Sequence, residues 1–267
     1  MNVVLAPGIA GDLLAKVLAE PQRLLDSPAA RFVKDHRRTA VAAAVVEGRE
    51  LFVKRFKPYA WYRRLEWMAV GTPARRCWRR SAELEKAGFG VPRPLALAET
   101  HRFGLVADCY FVTAAIPGAE PAGRLWRERG ARAPLRERAA LLEAMAAELR
   151  RFHEARFYSR DSNADNFLVR QRDDGGIEIY LLEIENVRRL RSVSERRRVK
   201  NLVQFYRPVR GEVRLLDRLR FLRAYRGAPL RRARGWLRDL AELDAKKEAE
   251  YQARRRRNRA ASAPHPG

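Results

Sequence analysis

The sequence predicts an α+β protein in two lobes, a small antiparallel-sheet half followed by a mainly helical half. Three observations predict it. Val-rich runs separated by a Gly-containing turn lie between Arg31 and Phe56, leucines and alanines recur at helical spacing from Leu135 to Phe152, and Pro117-Gly118 breaks the chain between them.

Taken in order, RFVKDHRR, TAVAAAVV and ELFVKRF read as an antiparallel meander, with Glu47-Gly48 turning between the last two. Pro73 opens and Gly88 closes a helix over ARRCWRRSAELEK. A strand pair follows around VPRPLALAE and FGLVADCYFVTAAI. The first lobe is thus expected over residues 1–116 and the second over 117–253. The second starts with the amphipathic helix LRERAALLEAMAAELRRF, followed by the aperiodic polar stretch YSRDSNADN. FLVRQ and IEIYLLEIE then form a hairpin through Asp173-Asp174-Gly175-Gly176. Along its second strand Glu183 and Glu185 alternate with Leu182 and Ile184, which puts both carboxylates on one side. The remainder is helical and Arg-rich to about Gln252, with Pro208 and Pro229 as breaks, and residues 254–267 are expected to be a disordered basic tail.

Composition narrows the class. With 46% apolar residues among 267, the chain can build a core, which excludes wholesale disorder. Its uncharged apolar runs, such as Thr39 to Val46, are too short to span a bilayer, and the N-terminus lacks the basic region of a secretory signal. Two cysteines, Cys77 and Cys109, make no disulfide framework and have no metal-ligand spacing. A reduced, cytoplasmic, soluble protein is expected. The charge of +24 calls for an anionic partner: nucleic acid, an anionic membrane face or a phosphorylated small molecule. Between Val187 and Ala260 there are 25 basic and 8 acidic residues, so +17 of the excess lies there.

The chemistry-bearing residues gather around the polar loop. Asp161 is followed five residues on by Asn166 and the apolar Phe167-Leu168-Val169, and Glu183 and Glu185 come on the second hairpin strand. In ATP-dependent phosphoryl transfer an Asp orients the acceptor hydroxyl, an Asn oxygen and a second acid hold magnesium, and a strand lysine grips the nucleotide phosphates. Lys54, in Leu51–Phe56, occupies a strand in the first half at the expected place. Taken alone, a strand lysine is a solvated edge residue and Glu185 reads as surface charge, whereas Glu183 reads as a metal acid. His153, at a helix end before the loop, reads as a cap and loop anchor.

These residues, with Ala87–Ala96, Phe152-His153 and Tyr180–Val187, resemble the lipopolysaccharide core kinases, a bacterial family that phosphorylates Kdo or heptose sugars of the inner core. The resemblance spans roughly Ala30 to Arg226 and implies a protein-kinase-like fold. It implies Asp161 as catalytic base, Asn166 and Glu183 as Mg2+ ligands, and Lys54, with Asn166 and Glu183, as ATP-binding residues. It also implies an anionic glycolipid acceptor at the cytoplasmic face of the inner membrane, with peripheral contact to the anionic leaflet.

The sequence departs from the family pattern at several positions. Ser159 stands for the loop His and Arg156 for a glycine; Glu183 replaces an Asp, and Asn201 takes the place of an Asp that braces the loop. The helix that normally offers Lys54 an acid carries only Glu83 and Glu85, late in its length, and no glycine-rich loop is visible around Lys34–Thr39. These departures keep open a catalytically weak or inactive kinase-like protein that binds a glycolipid or partner. A kinase for another small hydroxylated molecule is a further alternative. Nucleic acid is not favoured, because no recognised binding motif appears. Trp61 and Trp67, in YAWYRRLEWM, are either an interfacial element or a packed insertion.

Overall fold

The computed structural model describes residues 1–7, 9, 17–228, 230 and 234–261. The chain divides into two compact units, Met1–Ala119 with Leu168–Val187, and Glu120–Phe167 with Arg188–Gly267.

The first unit is built on β1 (Asn2–Leu5), β2 (Arg31–Asp35), β3 (Thr39–Val46), β4 (Arg49–Phe56), β5 (Pro94–Arg102) and β6 (Leu105–Ala114), in the order β1-β5-β6-β4-β3-β2. Every neighbouring pair is antiparallel. The β3–β4 turn has the two consecutive positive φ angles of a type I′ hairpin, 51° at Glu47 and 72° at Gly48, the turn whose twist matches the strands. On β4 the pleat sends Leu51 and Val53 into the core with Ala42, Ala96 and Val112, so the next residue, Lys54, falls on the opposite face, level with Val41 and Phe111.

The helices of this unit include α1 (Pro21–Asp26), α2 (Trp61–Val70) and α3 (Pro73–Lys86). Thr72 caps α3 by accepting the Arg75 N–H at 3.2 Å, and its hydroxyl donates to the buried Glu99 on β5 at 2.6 Å. Arg75 binds the same carboxylate through two 2.7 Å hydrogen bonds, so the helix N-terminus is fastened to the sheet by one acid. Gly88, at φ 79°, ends the helix where the sequence places its stop.

The hairpin of β8 (Phe167–Gln171) and β9 (Ile177–Leu181), numbered after a short β7 (Phe157–Ser159), clusters from Leu168 onward with the first unit, although the sequence assigns it to the second half. The attachment is local: the Leu181 N–H donates to the Gly90 carbonyl at 2.9 Å. A Cβ at Gly90 would collide with the Ile179 carbonyl, so glycine is needed for the approach.

The second strand is shorter than its apolar alternation predicts. It stops at Leu181, Glu183 adopts a left-handed φ of 51°, and Ile184–Asn186 form a 3₁₀ turn. The two glutamates are therefore not strand neighbours on one pleat face. A left-handed non-glycine residue costs about 1–2 kcal/mol, a strain that clusters at functional sites.

The second unit packs α4 (Leu135–Glu154), α5 (Glu195–Tyr206), α6 (Leu215–Arg226) and α7 (Arg234–Ala261). Phe205 stacks on Phe221 with ring centroids 5.4 Å apart, and Tyr225 on Trp236 at 6.1 Å, while Leu149, Leu202 and Phe157 are fully buried. α7 continues to Ala261, into the segment expected to be disordered. Its Ala, Glu, Lys and Arg content favours helix, and the pairs Lys247–Glu250 and Glu248–Gln252 add local support. Pro229 and residues 262–267 of the expected tail lie outside the described residues.

Candidate active site

Within the first unit, β4 and the turn after β9 bring Lys54 and Glu183 together. The Lys54 Nζ lies 2.5 Å from Glu185 Oε1 and 3.2 Å from Glu183 Oε2, and Lys34 approaches the other Glu183 oxygen at 3.7 Å. An ordinary strand lysine is solvated, but the Lys54 side chain is 14% exposed and held by two acids. Glu185, read from sequence as surface charge, is 12% exposed and is the nearer partner. The positive φ at Glu183 is the reason: it turns the chain so that both side chains converge on one ammonium.

The charges explain one another. Burial alone would lower the Lys54 pKa, but the Glu185 and Glu183 carboxylates outweigh it and hold it above the usual lysine value. Burial raises the Glu185 pKa, helped by the like charge of Glu183 and opposed by Lys54. Burial acts to raise Glu183 too, but Lys54 and then Lys34 draw it below the usual carboxylate value. Glu183 is thus the more firmly ionised of the two.

The α3 helix offers Lys54 no acid. Glu83 pairs with Arg79 and Arg80 on its own helix. The α3 residue that reaches the cluster is Cys77, whose Sγ lies 3.6 Å from Glu185 Oε2. Its thiol is buried and its pKa is raised, first by burial and then by the Glu185 charge, so it stays neutral.

Within the second unit the polar loop brings Asp161 and Asn166 together. The Asn166 side-chain NH2 donates to the Asp161 carbonyl at 3.0 Å, so its amide oxygen remains as the donor atom for a cation. Ser159, in the place of the family's loop His, accepts the Asp161 N–H on its Oγ at 3.1 Å. Arg156, in the place of a glycine, adopts φ 68°, so the backbone keeps the conformation glycine favours at a cost of about 1 kcal/mol.

Asn201 braces this loop from α5. Its Nδ2 donates to the Ser159 carbonyl at 2.7 Å and to Gln204 Oε1 at 3.0 Å, while its Oδ1 accepts from the Ser159 N–H at 3.4 Å. An aspartate here would lose both donations, so in this loop the amide is the better brace. His153 Nε2 lies 3.1 Å from the same Oδ1, and its Nδ1 lies 2.7 Å from the Tyr225 hydroxyl. The acceptor at Asn201 assigns the proton to Nε2, leaving Nδ1 to accept from Tyr225. His153 is a buried loop anchor.

Burial lowers the His153 pKa from 6.5 to about 4, the Asn201 hydrogen bond opposing and the Arg198 charge assisting. The imidazole is therefore neutral in the folded protein across the range where the unfolded chain takes up a proton. Its stabilisation is complete above pH 6.5 and is lost as the pH falls toward 4. Chemical denaturation should show about 2 kcal/mol less stability at pH 5 than at pH 8 from this group, a difference that His153→Gln removes.

Among the described residues no three His, Cys, Asp or Glu side chains gather as a metal cage. The candidate donors suit magnesium nonetheless. Each unit by itself offers an oxygen of the hard type that magnesium takes, the Asn166 amide oxygen in the second and the ionised Glu183 carboxylate in the first. Of the residues singled out in the sequence, Lys54 and Glu183 lie together in the first unit and Asp161 and Asn166 in the second; Glu185, Ser159 and Cys77 were not assigned these contacts.

A sheet lysine clasped by the acids of a hairpin, with an Asp-x4-Asn loop held by main-chain bonds, is the equipment of a protein-kinase-like phosphotransferase. Comparison with known proteins agrees. The chain belongs to the lipopolysaccharide kinase (Kdo/WaaP) family, whose profile matches residues 15–225. Among solved structures, one described as WaaP in complex with acyl carrier protein matches with a TM-score of 0.65 and 23% identity, covering 92% of this chain and 99% of that one. A likeness at that identity establishes the fold. A search of curated proteins gave no match. The chain is accordingly a kinase of α+β, protein-kinase-like fold, and its family implies use of ATP. Among the described residues no helix is long and apolar enough to cross a membrane.

Proposed function

We propose that the protein transfers the ATP γ-phosphoryl group to a sugar hydroxyl of a lipopolysaccharide-type glycolipid core at the cytoplasmic face of the inner membrane. The observation that carries this reading, given the family, is the convergence of Glu183 and Glu185 on the buried Lys54. In the reading, Lys54 binds the nucleotide phosphates and Glu185 keeps its ammonium charged and in place. Asp161 orients the acceptor hydroxyl and accepts its proton, on a loop fixed by Ser159 and Asn201. Asn166 and Glu183 supply oxygen donors to magnesium, which when bound neutralises charge on the transferring phosphate. The basic excess of the second unit attracts the anionic acceptor and the leaflet that carries it.

An acyl carrier protein is proposed as a further partner on a separate observation. The solved WaaP structure is a complex with acyl carrier protein.

The test of the main reading is magnesium-dependent nucleotide binding and transfer. ATP with magnesium should raise the melting temperature, and radiolabel from the γ-position should pass to a purified inner-core glycolipid. Absence of both sinks the proposal; nucleotide-independent binding of the glycolipid with no transfer would favour the inactive, kinase-like alternative.

A further inference from the structure

The α2 helix presents its apolar side to water. At 100° per residue, Met68, Trp61, Leu65, Ala69 and Tyr62 fall in one arc of about 120° with no charge inside it. Trp61 is 76% exposed, Met68 60%, and Leu65 and Tyr62 48% each. Trp67, on the opposite side of the helix, is buried, and α2 packs against β6. One tryptophan of YAWYRRLEWM is therefore the packed anchor and the other is displayed, so each of the two sequence-based alternatives holds for one residue.

The surroundings select the occupant. From Phe56 to Arg80 there are seven basic residues; five of them, Lys57, Arg63, Arg75, Arg79 and Arg80, pair with the four acids Asp35, Glu66, Glu99 and Glu83, so with Arg64 and Arg76 the flank keeps a net positive charge. A second copy of the chain laid on this face would bring like-charged flanks together, which disfavours self-association. An anionic bilayer surface meets both features: headgroups take the arginines, and the interface takes exposed Trp, Tyr, Leu and Met side chains.

We propose that α2 is an interfacial helix that seats the protein on an anionic membrane leaflet, with Trp61, Leu65 and Met68 as the inserted residues. The proposal rests on the membrane placement in the proposed function for its choice of surface, but not on any catalytic residue. It is tested with the full chain and no nucleotide, by cosedimentation with phosphatidylethanolamine vesicles containing about one-third phosphatidylglycerol, against neutral phosphatidylcholine vesicles. Wild type should bind the anionic vesicles, and the combined variant Trp61→Ser, Leu65→Ser, Met68→Ser should bind them about tenfold more weakly at an unchanged melting temperature. Quenching of tryptophan emission by brominated lipid should be strong in wild type and largely lost in Trp61→Phe, which keeps the apolar face.

Equal binding by the triple variant would overturn the proposal in favour of recruitment by charge alone. Failure of wild type to bind overturns it outright, as would a concentration-dependent dimer that the triple variant abolishes. Magnesium–ATP stabilisation measured on the same samples separates the two readings, since vesicle binding without nucleotide binding keeps this inference and rejects the catalytic one.

Discussion

Asp161→Asn is expected to lower kcat by about 10³-fold while leaving the KM for ATP close to wild type. The substitution is clean for a structural reason. The contacts that shape the loop use main-chain atoms of residue 161: its N–H donates to Ser159 Oγ and its carbonyl accepts from Asn166. The carboxylate itself is on an exposed residue, so an isosteric amide removes the base without removing the loop. The melting temperature should therefore be unchanged, which separates lost chemistry from lost fold. Asn166→Ala should behave differently, because it removes both a cation ligand and the clasp on the Asp161 carbonyl, and its deficit should include a higher magnesium requirement. If Asp161→Asn keeps more than about a tenth of the activity, proton acceptance by Asp161 is wrong, since a positioned base contributes at least about 10².

What the sequence disclosed and what it hid follow from the range of the interactions. The β3–β4 hairpin was legible because Glu47-Gly48 can take two positive φ angles, and α3 because Pro73 and Gly88 mark its ends. The contact of Asp161 with Asn166 was legible because the two lie five residues apart on one loop. The partner of Lys54 was not legible, since it depends on where the hairpin docks and on one backbone angle at Glu183 that apolar alternation cannot reveal. Continued strand through IEIYLLEIE was the natural expectation; the left-handed residue ends it and aims Glu185 inward. Composition likewise said nothing of which side of YAWYRRLEWM is wet, because its tryptophans are six residues apart and helical geometry sets them about 120° apart, on different faces.

Glu185→Ala is expected to lower kcat/KM for ATP by about 10²-fold, and Cys77→Glu to restore much of it in the double variant. Breaking a buried pair by removing one partner costs about 3–5 kcal/mol, part of which is spared here because Glu183 also contacts Lys54. That residual contact is itself the difficulty. With Glu185 gone, Glu183 becomes the nearest acid to Lys54 and is drawn toward the ammonium, so its carboxylate is less available to a cation and the magnesium needed for half-maximal rate should rise. Cys77 supplies the means of rescue, because its Sγ already lies 3.6 Å from Glu185 Oε2 and a glutamate there extends into the space the deletion leaves. The helix would then provide the acid that the hairpin provides in the native chain. In the presence of Glu185, by contrast, Cys77→Glu adds a third buried carboxylate to one ammonium and should destabilise the fold. A merely structural role for Glu185 predicts that its loss lowers the melting temperature with no change in magnesium dependence, and that Cys77→Glu restores nothing.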